Sequence, residues 1–316
     1  MRLLQYCNVG NIVGGTAACA WSVTRALPEV EHHVLFRSPP TRVTQIAFRH
    51  CRIEHARQLE WTDAVRSADL VLLHNISSRE VHWNSGADLP SVPIVQYVHS
   101  SARGHAAAHR TACCSQYLRE LLGQREWSVL HQGVPLAPIE GRTRATDGFK
   151  VGRICTPTAR KWPEALIEFY DTLARRHPAV EWEFVGCPEE LKDRLAEACG
   201  GRVAFHNAEF GARSRLHEWH AMLYHHPDLR ETFGRTVAEA MRCGCVPIVD
   251  DAGGFCEQLG ETDGFLCRTT DDFSDAVAAL MSRSEWRKRA DRCRERADQF
   301  SLRAFRGRLL DVFKSL

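Results

Sequence analysis

The stretch Glu231-Thr-Phe-Gly-Arg-Thr-Val-Ala-Glu239-Ala-Met-Arg-Cys-Gly-Cys-Val-Pro-Ile-Val249 carries the reading of the whole chain. Thr232 is placed to cap a helix, and Val237, Ala240 and Met241 give that helix one apolar face. Gly244 stands where the helix must stop. The apolar run Val246–Val249 follows at once and reads as a buried strand. A helix feeding directly into a buried strand is the repeating unit of a parallel α/β sheet. The helix start leaves backbone N–H groups free for a phosphate or a sugar hydroxyl. Glu231 and Glu239 stand eight residues apart. On one helix that is roughly 12 Å and a rotation of about 80°, so both can face one cleft, a sugar at one end and a ribose at the other. Taken alone, the same spacing also describes two solvated glutamates.

The strand–helix alternation extends outward in both directions. Upstream, Val151–Cys155, Trp182–Val185, Val203–Phe205 and Ala221–Tyr224 read as strands, and Pro163–Arg176 as a helix with Leu166, Phe169, Tyr170 and Leu173 on one side. Downstream, Glu285–Gln299 reads as a charged helix, and Phe300–Leu316 as one with a stripe of Leu302, Phe305, Leu309, Leu310 and Phe313. The first half repeats the pattern. Arg2–Val9 is a strand, Gly10–Gly15 a glycine turn and Thr16–Leu27 a helix ending before Pro28. His33–Phe36, Leu70–His74, Ile94–Val98, Ala112–Ser115 and Val129–Val134 are further strands. Between the halves, Glu140–Gly148 is polar and poor in apolar residues, so it reads as a linker. Two α/β halves with a linker predict a cleft, with ligands at the carboxyl ends of the strands.

Composition fits a chain of 316 residues divided into two domains of roughly 150 each. It is 44% hydrophobic and 25% charged, which is ordinary globular usage, and the net charge of +2 is too balanced for nucleic acid or an anionic membrane as main partner. No run approaches the roughly 18 apolar residues of a membrane helix, and no signal peptide is read at the N-terminus, so the expected compartment is the cytoplasm. The 13 cysteines form no CxxC pair, and the 16 histidines no HExxH; buried thiols in a reducing cell are expected. Asp250-Asp251 invites a divalent cation. Arg287–Arg296 mixes its arginines with Glu and Asp and reads as a solvated helix.

The Glu231–Val249 stretch resembles the signature of retaining GT-B glycosyltransferases of family four, the group 1 type. Gly253-Gly254-Phe-Cys-Glu257 and Gly264-Phe-Leu-Cys267 resemble that family's closing segments. The resemblance spans nearly the whole chain and is strongest from Val151 to Cys267. It implies two Rossmann-like domains with parallel sheets facing a central cleft. The acceptor-side domain would cover residues 1–145, the nucleotide-sugar donor domain 150–299, and the helix 300–316 would pack back on the first. In the family the first Glu contacts the donor sugar and the second the nucleotide ribose, which places Glu231 and Glu239 in those roles. The backbone at Phe233 and Gly234 would approach the sugar or phosphate.

The resemblance also implies a diphosphate clamp of an Arg and a Lys, assigned to Arg153 and Lys161, with Arg160 able to replace one because the spacing is longer than usual. Gly14 and Gly15 match the family's glycine loop facing the donor phosphates. His99, at the end of a strand, matches a histidine that reaches the reaction centre; Ser100, Ser101 and Arg103 are its neighbours. The implied reaction moves a sugar from a nucleotide diphosphate sugar to an acceptor hydroxyl, with retention, without a cofactor and without a metal, so Asp250-Asp251 is not assigned one. The chain is short in its first half, which suggests a small acceptor, a metabolite. Other readings remain: a sugar-nucleotide epimerase, a pseudo-glycosyltransferase, or a non-catalytic sugar-nucleotide binding protein.

Overall fold

The computed structural model describes residues 1–56, 61–81, 83, 89–102, 104–139 and 148–316, with the side chains of Trp61 and Thr62 left aside. The expected linker therefore lies outside the described residues except for Gly148, and so does Arg103. The chain divides into two compact units. Met1–Pro135 with Leu302–Leu316 form the first, and Leu136–Ser301 the second.

The first unit runs β1 (Arg2–Cys7), α1 (Gly15–Ala26), β2 (Glu31–Phe36), α2 (Arg42–Ala47), β3 (Arg52–His55), α3 (Trp61–Arg66), β4 (Leu70–His74), β5 (Ile94–Val98), β6 (Arg110–Cys113), α4 (Gln116–Leu121) and β7 (Ser128–Val129). Its seven strands are all parallel, in the order β3-β2-β1-β4-β5-β6-β7. Apolar side chains from β1, β4 and β5, among them Leu4, Val71, Leu73 and Ile94, pack with Val65 and Trp83 into one core. Such fully buried strands belong to a parallel sheet covered on both faces.

The second unit runs β8 (Phe149–Ile154), α5 (Ala165–Arg176), β9 (Val180–Val185), α6 (Glu189–Ala198), β10 (Val203–His206), β11 (Ala221–Tyr224), α7 (Arg235–Cys243), β12 (Val246–Asp250), α8 (Phe255–Gln258), β13 (Phe265–Cys267), α9 (Thr270–Met281) and α10 (Arg283–Ala297). A last helix, α11 (Leu302–Lys314), belongs to the first unit. There Phe305 is wholly buried, so close to Gly133 that a β-carbon on that glycine would lie 2.5 Å from it.

The second sheet repeats the first unit's arrangement: β10-β9-β8-β11-β12-β13, all parallel. In both sheets the strand order reverses beside the first strand, between β1 and β4 and between β8 and β11. That is where α/β sheets bind ligands, outside the carboxyl ends. Large aromatics fill the second unit: Trp162, Trp182, Trp219, Tyr170 and Phe184 are all fully buried. Gly152 in β8 is required by this packing, since a β-carbon there would fall 2.1 Å from the Trp219 ring.

α5 buries Leu166, Phe169, Tyr170 and Leu173, the face its spacing predicts. α7 behaves differently from expectation at its start. Thr232 does not cap it; the helix begins at Arg235 behind Gly234, which has φ +80°. No other residue fits there, because a β-carbon on Gly234 would lie 2.2 Å from the Phe255 ring. Glu231 consequently sits in the loop ahead of the helix, and the helical distance between Glu231 and Glu239 does not apply. Gly244 does end α7, in the left-handed conformation, and β12 follows.

Candidate active site

In the second unit the carboxyl ends of β8 and β11 deliver the site. The loop after β8 folds into a turn at Thr156–Trp162, closed by Lys161 N–H donating to the Thr158 carbonyl. Buried Trp162 anchors it against the Phe184 ring, 5.8 Å away. The turn presents Arg160, exposed, and Lys161, 15% exposed. The loop after β11 carries Glu231, 21% exposed, whose Oε1 is paired with the Lys161 ammonium and accepts from the Tyr224 hydroxyl at 2.7 Å. Burial alone would raise the Glu231 carboxyl, but Lys161 and the Tyr224 hydroxyl outweigh it and hold it below its ordinary value. Burial, and then the Glu231 charge, push the Tyr224 phenol well up, so it stays a donor.

Loop 231–234 packs on the turn at Gly253 and Gly254. Gly254 N–H donates to the Glu231 carbonyl at 2.8 Å, and Gln258 Nε2 donates to the Phe233 carbonyl. A β-carbon on Gly253 would meet the Glu231 carbonyl oxygen at 2.5 Å. Phe233 is buried against Phe300, so its side chain fixes the loop. Glu239 is 4% exposed, which rules out a solvated glutamate. Its Oε1 lies 3.1 Å from Arg213 and 3.4 Å from Arg235, and the Arg213 guanidinium stacks on Phe210. A buried carboxylate flanked by two arginines is held in one rotamer and keeps acceptor capacity for a hydroxyl.

Arg153 occupies a different place from the one expected. Its side chain is fully buried, stacked over Trp162 and Tyr224, and donates to the carbonyls of His225 at 3.0 Å and Lys161 at 2.8 Å. It braces the two loops rather than presenting a cation to a ligand. Lys161 and Arg160, on the turn at this edge, are not closed off in this way. Asp250 is likewise committed: Oδ1 lies 2.6 Å from His225 Nδ1 and Oδ2 accepts the His226 N–H at 2.8 Å. Asp251 pairs with Arg268 at 2.6 Å. The two carboxylates therefore do not converge on a cation.

In the first unit Gly14 caps the N-terminus of α1, and Gly15 opens onto free space. His99 follows β5. His74 lies between two partners, its Nε2 3.0 Å from Gln5 Oε1 and its Nδ1 3.0 Å from His99 Nε2; His99 Nδ1 lies 2.8 Å from Gln132 Nε2. Burial drives the His74 pKa down to about 3, so the ring is neutral. One tautomer set satisfies this chain: Gln132 donates to His99, His99 to His74, and His74 to Gln5. Both His99 ring nitrogens are committed, so a ligand would have to displace one of those partners to reach it.

Cys19 joins His74 and His99 in a buried group whose ligand atoms lie within 4.8 Å of one another. The two rings are nearly coplanar, at 6°, with centroids 5.3 Å apart and nitrogens 3.0 Å apart, so their lone-pair axes meet head-on. That line holds a proton; an ion at metal–nitrogen distances of about 2.0–2.1 Å would force the rings apart. The sequence reading missed Tyr224, Arg213 and His226. Tyr224 was visible as the polar end of an apolar strand; the other two gave no local signal.

Comparison with known proteins places this half. Residues 149–300 match the profile of the family described as Glycosyl transferases group 1. The second unit is a group 1 glycosyl transferase domain. A glycogen synthase from Bordetella petrii is 25% identical over 210 residues, covering 63% of this chain and 34% of the relative, so the matched part is about a third of that protein. Among solved structures, Anabaena HepE in complex with UDP-glucose superposes with a TM-score of 0.79 at 18% identity, covering 100% of both chains. A glycosyltransferase from Rickettsia africae superposes with 0.75 at 12% identity, covering 99% of this chain and 98% of the other. These likenesses show the fold: the glycosyl transferase domain and the first unit are the two Rossmann-like halves of the GT-B architecture.

Proposed function

We propose that the chain is a retaining glycosyltransferase that takes a nucleoside diphosphate sugar and works without a metal. The observation that carries the reading is the cluster of Lys161, Glu231 and Tyr224 at the carboxyl ends of β8 and β11, with buried Glu239 on α7. Arg160 and Lys161 supply positive charge where a departing diphosphate needs it, the electrostatic help a metal gives elsewhere. Glu231, held ionised by Lys161, orients sugar hydroxyls, and Glu239, steadied by Arg213, accepts from the ribose. The first unit is proposed as the acceptor side, for a small hydroxyl-bearing metabolite, and the compartment as the cytoplasm. UDP-glucose is the first donor to try, because HepE was solved with it.

The test is incubation with UDP-glucose and other nucleotide sugars, following nucleoside diphosphate and the anomer of the freed sugar. Slow release of UDP with α-glucose as the first product supports the reading. Conversion of the sugar without UDP release would point to an epimerase, and tight binding without turnover on any acceptor to a binding protein; either would overturn it.

A further inference from the structure

We propose that His226 is the positioning residue of the donor site: as a neutral ring protonated on Nε2, it pins the turn bearing Arg160 and Lys161 to the loop bearing Glu231. The inference rests on the donor-site reading above. His226 lies one residue beyond the end of β11, after His225, and is 6% exposed. Its Nε2 lies 2.9 Å from the Arg160 carbonyl oxygen, which can only accept, so Nε2 carries the proton. Its Nδ1 accepts from the backbone N–H groups of Asp228 at 3.1 Å and Leu229 at 2.8 Å, so it carries a lone pair. One tautomer satisfies all three bonds, and the imidazolium satisfies only one. The ring therefore joins the cationic turn to the start of the loop that reaches Glu231, while Arg153 braces the same two segments from below through the carbonyls of Lys161 and His225.

Charge around the ring favours the neutral form. Arg153 comes from β8, Lys161 from the turn, and Asp228 and Arg230 from its own loop; Arg230 donates to the His226 carbonyl. Asp250 from β12 accepts the His226 N–H, and His225 beside it faces Asp250. Burial first, then Arg153 and Lys161, hold the ring's pKa below its usual value, against the pull of the Arg160 carbonyl and Asp228. Protonation at Nδ1 would oppose two N–H groups and release the loop. Acid should therefore weaken donor binding through this ring.

UDP-glucose is the probe, because its diphosphate is esterified at both ends and has no proton to titrate near neutrality. His226→Asn keeps an acceptor at the Nδ1 position, and His226→Gln keeps a donor at the Nε2 position; neither titrates. Calorimetric affinities are compared at about pH 7.5 and about pH 5.5, on either side of the ordinary histidine pKa. Because burial holds the ring's pKa below the ordinary value of about 6.5, it is only partly protonated at the lower pH, and the wild type is expected to lose roughly twofold to fivefold on acidification. Both variants should bind more weakly than wild type at the higher pH and show a flat profile. Parallel profiles in wild type and variants, or variants that bind as well as wild type throughout, overturn the proposal. If the wild type binds no nucleotide sugar, the donor reading itself fails. The ring's ¹⁵N shifts then decide whether His226 pins the turn to the loop: a bare Nδ1 and protonated Nε2 uphold it, and the opposite tautomer refutes it.

Discussion

Replacing Lys161 by alanine separates what the Lys161–Glu231 pair does for folding from what it does for a donor. Both side chains are mostly buried, at 15% and 21% exposure. Removing one partner of a buried pair costs about 3–5 kcal/mol when the remaining charge is wholly uncompensated. Here Tyr224 still donates to Glu231 at 2.7 Å, and some solvent reaches the carboxylate, so the expected loss is about 2 kcal/mol. Glu231→Ala in the Lys161→Ala background should recover most of that loss, because no stranded charge remains. Turnover should behave otherwise. A donor aimed at developing negative charge is worth roughly 10²–10³ in rate, so Lys161→Ala should slow donor hydrolysis by about that factor and the double variant should be no faster. Urea unfolding gives the first quantity and UDP release from UDP-glucose the second. Additive stability losses, or a double variant with restored turnover, would refute the reasoning.

Gly234→Ala must place a β-carbon 2.2 Å from the Phe255 ring at φ +80°, so a stability loss of about 2 kcal/mol or more is expected in urea unfolding; no loss would contradict the packing of loop 231–234. Arg213→Met should weaken UDP-glucose binding by about threefold to tenfold with turnover at saturation little changed, since it loosens Glu239 and not the reacting end; an equal loss in both would place Arg213 elsewhere. The histidines His74, His177 and His226 have folded pKa values below the unfolded one of about 6.5, so the unfolded chain binds protons first as pH falls. Their stability contribution is present above that value and is lost as pH drops from about 6.5 toward their folded pKa values, near 3 for His74. Urea midpoints that rise on acidification across this window would contradict the burial of those rings.

The β-strands most legible in sequence were the apolar ones. Leu70–His74, Ile94–Val98 and Ala221–Tyr224 have the same bounds in the structure, because a buried parallel strand writes itself as a mainly apolar run. β3, Arg52–His55, is an edge strand of mostly polar residues with no such run. α9 carries a local signal in sequence, the capping box of Thr269 and Asp272 at its start. Of the expected site residues, Lys161 and Glu231 pair in the loops after β8 and β11, while Glu239 stands buried on α7 against Arg213 and Arg235. The start of α7 was misplaced because the reason for it, the Phe255 ring over Gly234, lies 21 residues downstream. Arg153 read as a clamp because its partners are distant: the His225 carbonyl is 72 positions away, and only the fold shows the guanidinium closed off beneath Trp162 and Tyr224.

The central claim is that the second unit holds the donor through Lys161 and Arg160 at the diphosphate and Glu239 at the ribose. A crystal structure of the protein soaked with UDP tests it most directly. The expected result is diphosphate oxygens within hydrogen-bond distance of Lys161 and the ribose hydroxyls on the Glu239 carboxylate. UDP seated away from both residues would contradict it.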